Sequence, residues 1–241
     1  MHLTTQQSKM TFLSVFILIL SSGFMLSAQP QLSVDMNKKG VSISPTHYGV
    51  FFEDINHAAD GGLYAELLRN RSFEDGDTPA PWALSNIGGA VSTMSIETEG
   101  LLNQSQKKAL KVQITAIPNE SSRPRIINRG FWGIDIKKGE TYKVSFYAKC
   151  DTTFKGEVTV SLESIIYQQF AKVTITGIDQ EWKKFTCELK PDADYQNVLF
   201  ELTPTSKGTV WFDVVSMFPP TFKNRENGLR PDLARKIADL H

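Results

Sequence analysis

Between residues 91 and 217 the chain runs as a series of short apolar and polar alternations broken by turn residues, with no helical period anywhere in the span. The clearest run is YKVSFYAK at 142–149, where Val144, Phe146 and Ala148 fall on one side of an extended segment and Lys143, Ser145 and Lys149 on the other. Successive side chains of a strand point to opposite faces, so this segment buries one face and wets the other. Runs at 111–114, 157–163, 182–189, 197–202 and 209–215 read the same way. Many short strands with one dry face each must cover one another, which predicts a mainly β protein built as a β-sandwich. Cys150 continues the dry face of 142–149, and Cys187 shares a face with Phe185 and Leu189. Both read as packed thiols, although an exported protein is permitted a disulfide.

Outside that span the pattern changes. At 227–241, Leu229, Leu233, Ile237 and Leu240 recur at helical steps, with Asn227 placed to cap and Pro231 tolerable in a first turn. This predicts an amphipathic helix, and its stripe stops without Gly or Pro, as if the polypeptide continued. Upstream, 32–35 and 41–44 read as two strands around Asn37-Lys38-Lys39-Gly40, and 63–68 as one or two helical turns.

Residues 1–28 read as a secretory signal, with Lys9 before an apolar stretch and a small-residue exit at Ser27-Ala28. The stretch is short for a membrane span and broken by Ser14, Ser21, Ser22 and Gly23, so no stable anchor is expected after cleavage. With 26 basic and 26 acidic residues the chain is formally neutral. Nothing points to nucleic acid, and neutrality suits an uncharged glycan without identifying one. The expected location is secreted or periplasmic; oligomeric state is open.

Residues 48–74, YGVFFEDINHAADGGLYAELLRNRSFE, end an apolar run in Glu53, Asp54, Asn56 and His57. Carboxylates after an apolar run read either as a solvated loop or as the mouth of a buried barrel strand, where Val50, Phe51 and Phe52 would be the strand. No second His or Cys stands at ligand spacing from His57, which argues against a transition metal.

Residues 44–74 resemble the start of the catalytic barrel in α-L-arabinofuranosidases of glycoside hydrolase family 51, and FPPTFKNRENGLRPDL at 218–233 resembles the phrase that leads into their first barrel helix. What lies between resembles the carbohydrate-binding module of families 4 and 9 that this subgroup carries after its first barrel strand. The resemblance implies a jelly-roll β-sandwich inserted after the first strand of an incomplete (β/α)8 barrel. It implies a signal at 1–28, N-terminal strands and the first barrel strand at 29–71, the sandwich at 72–219 and a truncated first barrel helix at 220–241.

By the same resemblance the function is that of the N-terminal portion of a secreted retaining arabinofuranosidase, with arabinose-containing plant polysaccharide or oligosaccharide as partner. The alternative is a free-standing glycan-binding module without catalysis. Retaining glycosidases need two carboxyl groups about 5 to 5.5 Å apart, and the family's two Glu residues belong to later strands, so no catalytic residue is expected here. Glu53 and Asp54 are adjacent on one extended segment and point to opposite sides. Glu53 matches the position that hydrogen-bonds the arabinofuranosyl ring. Asn56 is a second substrate-binding candidate, although with Asp54 and His57 it can equally hold the loop in shape. No catalytic cofactor is implied, but Glu74 and Asp213 match the places where such modules hold a structural calcium; Asp213 merely accepting backbone hydrogen bonds is the plain alternative. Glycan-stacking candidates are Trp82, Trp132, Tyr147, Tyr167 and Trp182, of which Tyr147 is best placed, with Tyr167 and Trp132 next, and Trp182, at the head of a strand, reads as structural.

Overall fold

The computed structural model describes residues 31–44, 47 and 49–240, so the expected signal at 1–28 lies outside the described residues. They divide into two units, 31–51 and 52–240.

The first unit is irregular. A turn sits at the expected Asn37-Lys38 position, where Asp35 accepts hydrogen bonds from the backbone N–H of Asn37 at its carboxylate (3.0 Å) and of Lys38 at its carbonyl (3.2 Å). The flanks 32–35 and 41–44 are not strands, and neither is 50–52, where Phe51 is 89% exposed. A strand exists only where a neighbour completes its backbone hydrogen bonds. These segments have no such neighbour among the described residues.

The second unit is a sandwich of two antiparallel sheets. One carries β1 (Ala83–Ile87), β4 (Arg123–Asn128), β10 (Tyr195–Pro204), β7 (Val158–Glu163) and β8 (Gln169–Ile175) in that order, with β5 (Ile134–Ile136) also paired to β10. The other runs β2 (Val91–Glu97), β3 (Ala109–Ala116), β11 (Gly208–Phe218), β6 (Tyr142–Cys150) and β9 (Lys183–Leu189). The chain passes repeatedly from one sheet to the other, which is the jelly-roll path. The alternation in β6 holds residue by residue: Tyr142, Val144, Phe146, Ala148 and Cys150 are buried while Lys143 is exposed. Phe146 packs on Phe185 (5.7 Å between ring centroids) and on Phe212 (6.0 Å), with Leu110 and Val112 of β3 and Phe200 and Leu202 of β10 completing the core. Phe73 and Trp82, 5.6 Å apart, plug one end.

Cys187 pairs with Val144 across β6 and β9, whereas Cys150 lies six residues further along β6. At roughly 3.3 Å per residue that places them about 20 Å apart, far beyond disulfide reach. Both thiols are free.

Residues 63–68 are not helical. Leu63 and Gly62 close a turn on Ala58 and Ala59, and the chain then runs extended beside β11 and the outgoing segment. Tyr64 bridges Leu229, Ala65 N–H donates to the Gly228 carbonyl (3.2 Å), Arg230 N–H to that of Leu63 (2.9 Å), and Leu67 N–H to that of Met217 (3.0 Å). Glu66, almost wholly buried, fastens this strip. It accepts hydrogen bonds from the N–H of Met217 (2.9 Å) and Leu68 (3.0 Å) and from the Ser216 hydroxyl. Backbone partners on β11 outweigh the helical propensity of LYAELL. The tail helix, α1 (Pro231–Ala238), forms with Pro231 in its first turn, but its N-cap is Arg230. Asn227 (φ 48°) is too far upstream to cap it, and Leu229 is spent on the bridge to Tyr64.

Candidate functional site

The acidic loop is held from within. Asp54 accepts a hydrogen bond from Ala59 N–H (2.9 Å), and Asn56 and His57 take left-handed backbone angles (φ 53° and 60°). The His57 ring meets Phe131 and Trp132 edge-on at 5.2 and 5.9 Å. Gly61 (φ 81°) is required there, since a Cβ at that position would stand 2.2 Å from the Phe131 ring. Glu53 and Asn56 are exposed, and the Glu53 carboxylate has no ion-pair partner among the described residues. Nothing in this loop pairs two carboxylates across a space a glycosidic bond could enter.

The charge of Glu74 is felt at Asp213. On β11 four residues, Asp213 to Ser216, span what three residues, Tyr147 to Ser145, span on β6. The extra residue is a bulge, with Val214 forced to φ 48° and its N–H donating to Asp213 Oδ1 (2.7 Å). Asp213 is fully buried and its Oδ2 has no hydrogen-bond partner. Burial, helped by the charge of Glu74 and opposed by the Val214 hydrogen bond, pushes its carboxyl up to about 7. Glu74 accepts from the N–H of Lys107 (2.7 Å) and Lys108 (3.1 Å) with one oxygen. An orphaned buried carboxylate oxygen beside a second carboxylate fits a hard cation, with backbone carbonyls or water left to complete its shell. No cluster of three or more His, Cys, Asp or Glu residues suited to a metal occurs among the described residues.

The three aromatic candidates do not share a platform. Trp132 is exposed beside His57. Tyr167 tips the β7–β8 loop, and its ring stacks on the Arg125 guanidinium at 4.7 Å. Since β10 and β7 lie between β4 and β8, the loop must fold back over the sheet to reach it. Beneath it lies a polar floor that sequence reading missed. Arg125 binds Glu201 through two hydrogen bonds (Nε to Oε2, 2.7 Å), and Arg123 binds Glu163 through two of 2.9 Å each. Burial holds Glu201 above the usual carboxylate range against the pull of Arg125. Burial also works on Glu163, but the Arg123 hydrogen bonds and charge outweigh it and hold that carboxyl low. Both carboxylates are engaged and inaccessible, so this floor is structural. Trp182 donates its indole N–H to Gly100 (2.9 Å), and Lys149 sits over both Trp182 (5.1 Å) and Trp211 (5.3 Å). Those two indole faces are already covered by an ammonium group.

Tyr147 stands in a different setting. It lies half-buried on the outer face of β6 with Ser145 and Lys143, opposite Lys184, Thr186 and Glu188 of β9. With the outgoing segment 218–227 as its wall, this face forms a groove of about 810 Å³. That volume falls within the roughly 300–1,000 Å³ of ligand sites. The signal for its floor was the alternation of β6; its wall, a turn of three residues (Phe222–Asn224) with Lys223, Asn224 and Asn227 at positive φ, carries no period to read.

Comparison with known proteins matches residues 65–208 to a family model of carbohydrate-binding domains, families 4 and 9. The chain is 34% identical over 212 residues to the α-L-arabinofuranosidase A of Aspergillus kawachii, covering 83% of this chain and 32% of that protein. It is 34% identical over 219 residues to an extracellular exo-α-L-arabinofuranosidase of Streptomyces chartreusis, covering 87% and 24%. The arabinose-bound structure of a family 51 α-L-arabinofuranosidase superposes with a TM-score of 0.69 at 34% identity, over 80% of this chain and 32% of that one. The chain thus spans about a third or less of the relatives it matches.

Proposed function

This chain belongs to the carbohydrate-binding domain family, and we propose on that premise that it is the glycan-binding, N-terminal portion of a secreted retaining α-L-arabinofuranosidase acting on arabinose-containing plant polysaccharide. The supporting observation is the reach of the similarity: 34% identity with the arabinofuranosidases extends over 87% of the chain, beyond the 65–208 that a free-standing sugar-binding domain would account for. Within it, the Tyr147 groove is the surface best built to hold sugar. An aromatic face receives the C–H face of a sugar ring, and the hydroxyls of Ser145 and Thr186 with the amides of Asn224 and Asn227 serve its hydroxyls.

The chemistry of hydrolysis is assigned elsewhere in such an enzyme. Glu53 and Asp54 stand on one loop, and the buried Glu163 and Glu201 are held by arginines. The role the family resemblance implies for Glu53 is to hold substrate by hydrogen bonding. A calcium at Glu74 and Asp213 would neutralise two carboxylates and lock the incoming segment to β11.

The test uses the chain itself, by affinity electrophoresis in arabinan and arabinoxylan and by hydrolysis of p-nitrophenyl α-L-arabinofuranoside. Retardation that Tyr147→Ala reduces, by the roughly 0.5–1.5 kcal/mol of an aromatic contact, is expected without turnover. Unaltered mobility in every polymer, or turnover abolished by Glu53→Ala, would overturn the proposal.

A further inference from the structure

The groove around Tyr147 carries a charge that the chain as a whole does not. The full sequence balances 26 basic against 26 acidic residues. Yet the groove is lined by Arg71, Lys143, Lys184 and Arg225 against only Glu188 and Glu226. Among the described residues Lys143, Lys184 and Arg225 enter no ion pair, while Glu188 is drawn to Lys190 at 4.0 Å and Arg71 to Glu66 at 3.9 Å.

The placement of these cations follows from the strand register. Lys143 and Tyr147 are four residues apart on one face of β6, and Lys184 is the direct cross-strand neighbour of Tyr147. Arg225 faces them from the wall, where the Phe222 N–H donates to the Leu229 carbonyl (2.8 Å) and the Asn224 N–H to the Thr221 carbonyl (3.0 Å). Backbone spacing thus puts Lys184 about 5 Å from Tyr147 across the ladder and Lys143 about 13 Å away along the strand.

We propose that this groove binds an acidic polysaccharide, in which hexuronate carboxylates meet Lys143, Lys184 and Arg225 while a pyranose face rests on Tyr147. A neutral glycan would leave the excess of positive charge unanswered, since Glu188, opposite Lys143, and Glu226 balance only part of it. A small inorganic anion would leave the aromatic floor unused. A polymer carrying ring-borne carboxylates uses both, through charge-assisted hydrogen bonds and stacking. The inference rests on the glycan-binding reading above and names the class of glycan.

The experiment compares binding of the 241-residue chain to polygalacturonate, to the same polymer fully methyl-esterified, to neutral arabinan and to dextran sulfate, by titration calorimetry at low and high salt. Esterification removes the charge and leaves both the sugar backbone and the protein intact, so this arm is independent of any variant's folding. The free acid is expected to bind more tightly than its ester, and added salt to narrow the gap. Lys143→Gln with Lys184→Gln is expected to weaken the free acid by roughly three- to thirtyfold, as two exposed ion pairs would, and to weaken the ester by less. Tyr147→Ala is expected to weaken both. Equal binding of acid and ester overturns the inference while leaving the glycan reading in place. Equal binding of dextran sulfate and polygalacturonate, insensitive to Tyr147→Ala, also overturns it, as a polyanion surface only. Failure to bind any of the four polymers overturns both readings together.

Discussion

Replacing Arg125 by Met tests the polar floor under Tyr167. The guanidinium is 4% exposed and the Glu201 carboxylate fully buried, joined by two hydrogen bonds. Methionine keeps the volume of the side chain but leaves Glu201 as an uncompensated buried charge beside Glu163, whose own charge pushes the Glu201 pKa further upward. Stranding one member of a buried pair costs about 3–5 kcal/mol, and losing the cation under Tyr167 adds roughly 0.5–1 kcal/mol. At about 2–4 °C per kcal/mol for a domain of this size, the thermal midpoint should fall by roughly 7–24 °C. The pH dependence fixes the cause. Without Arg125, Glu201 folds best when protonated, so its folded pKa stands above its unfolded one. Stability from that group is fully present below the unfolded value near 4.5 and is lost as pH rises through the folded value. The deficit of Arg125→Met should therefore be small at pH 4.5 and grow toward pH 8. Adding Glu201→Leu should recover most of the loss, because the stranded charge is gone. A drop below about 1.5 kcal/mol, a deficit flat with pH, or a double variant as weak as the sum of the singles would refute this reasoning.

The Glu74 and Asp213 site is expected to respond to calcium. A hundredfold excess over Kd should stabilise by about 2.7 kcal/mol, a chelator should reverse it, and Asp213→Asn should abolish it; an identical melting midpoint with calcium and with chelator removes the ion from the site. The cysteines should titrate as two free thiols after unfolding, and reductant should leave the midpoint where it was. Because burial pushes the Cys187 thiol up to about 11, native protein should alkylate slowly there at neutral pH; a reductant-dependent midpoint would mean a bridge that the six-residue offset from Val144 to Cys150 forbids.

Which elements could be foreseen depended on whether their cause was local. The dry face of β6 is written in Val144, Phe146 and Ala148, and the same alternation puts Tyr147 on the wetter face. The strand β4, RPRIIN, was not foreseen, because two arginines and a proline contradict the strand pattern until Glu163 and Glu201 arrive from 40 and 76 residues away to answer them. The apolar Val50, Phe51 and Phe52 read as a barrel strand, but an apolar run only offers a strand and a neighbour must accept it. The glutamate that pins LYAELL to β11 is as invisible as the arginine pairs: Glu66 and Ser216 meet across 150 residues. Tyr147 and the bulge beside Asp213 lie on neighbouring strands, yet only the first left a periodic trace.

The bridge between Tyr64 and Leu229 sets how freely the sandwich can move within a larger polypeptide. Its incoming and outgoing segments leave side by side in one ladder, about 5 Å apart. A module on a single flexible leash tumbles and samples every orientation, so its sugar site and any neighbouring chemistry meet by chance, at an effective concentration set by linker length. Two adjacent tethers joined by hydrogen bonds remove the twist about a single attachment and leave only a bend. A polysaccharide strand lying in the Tyr147 groove, whose wall is the outgoing tether itself, would therefore be presented in one direction, and its ends would point the same way in every molecule.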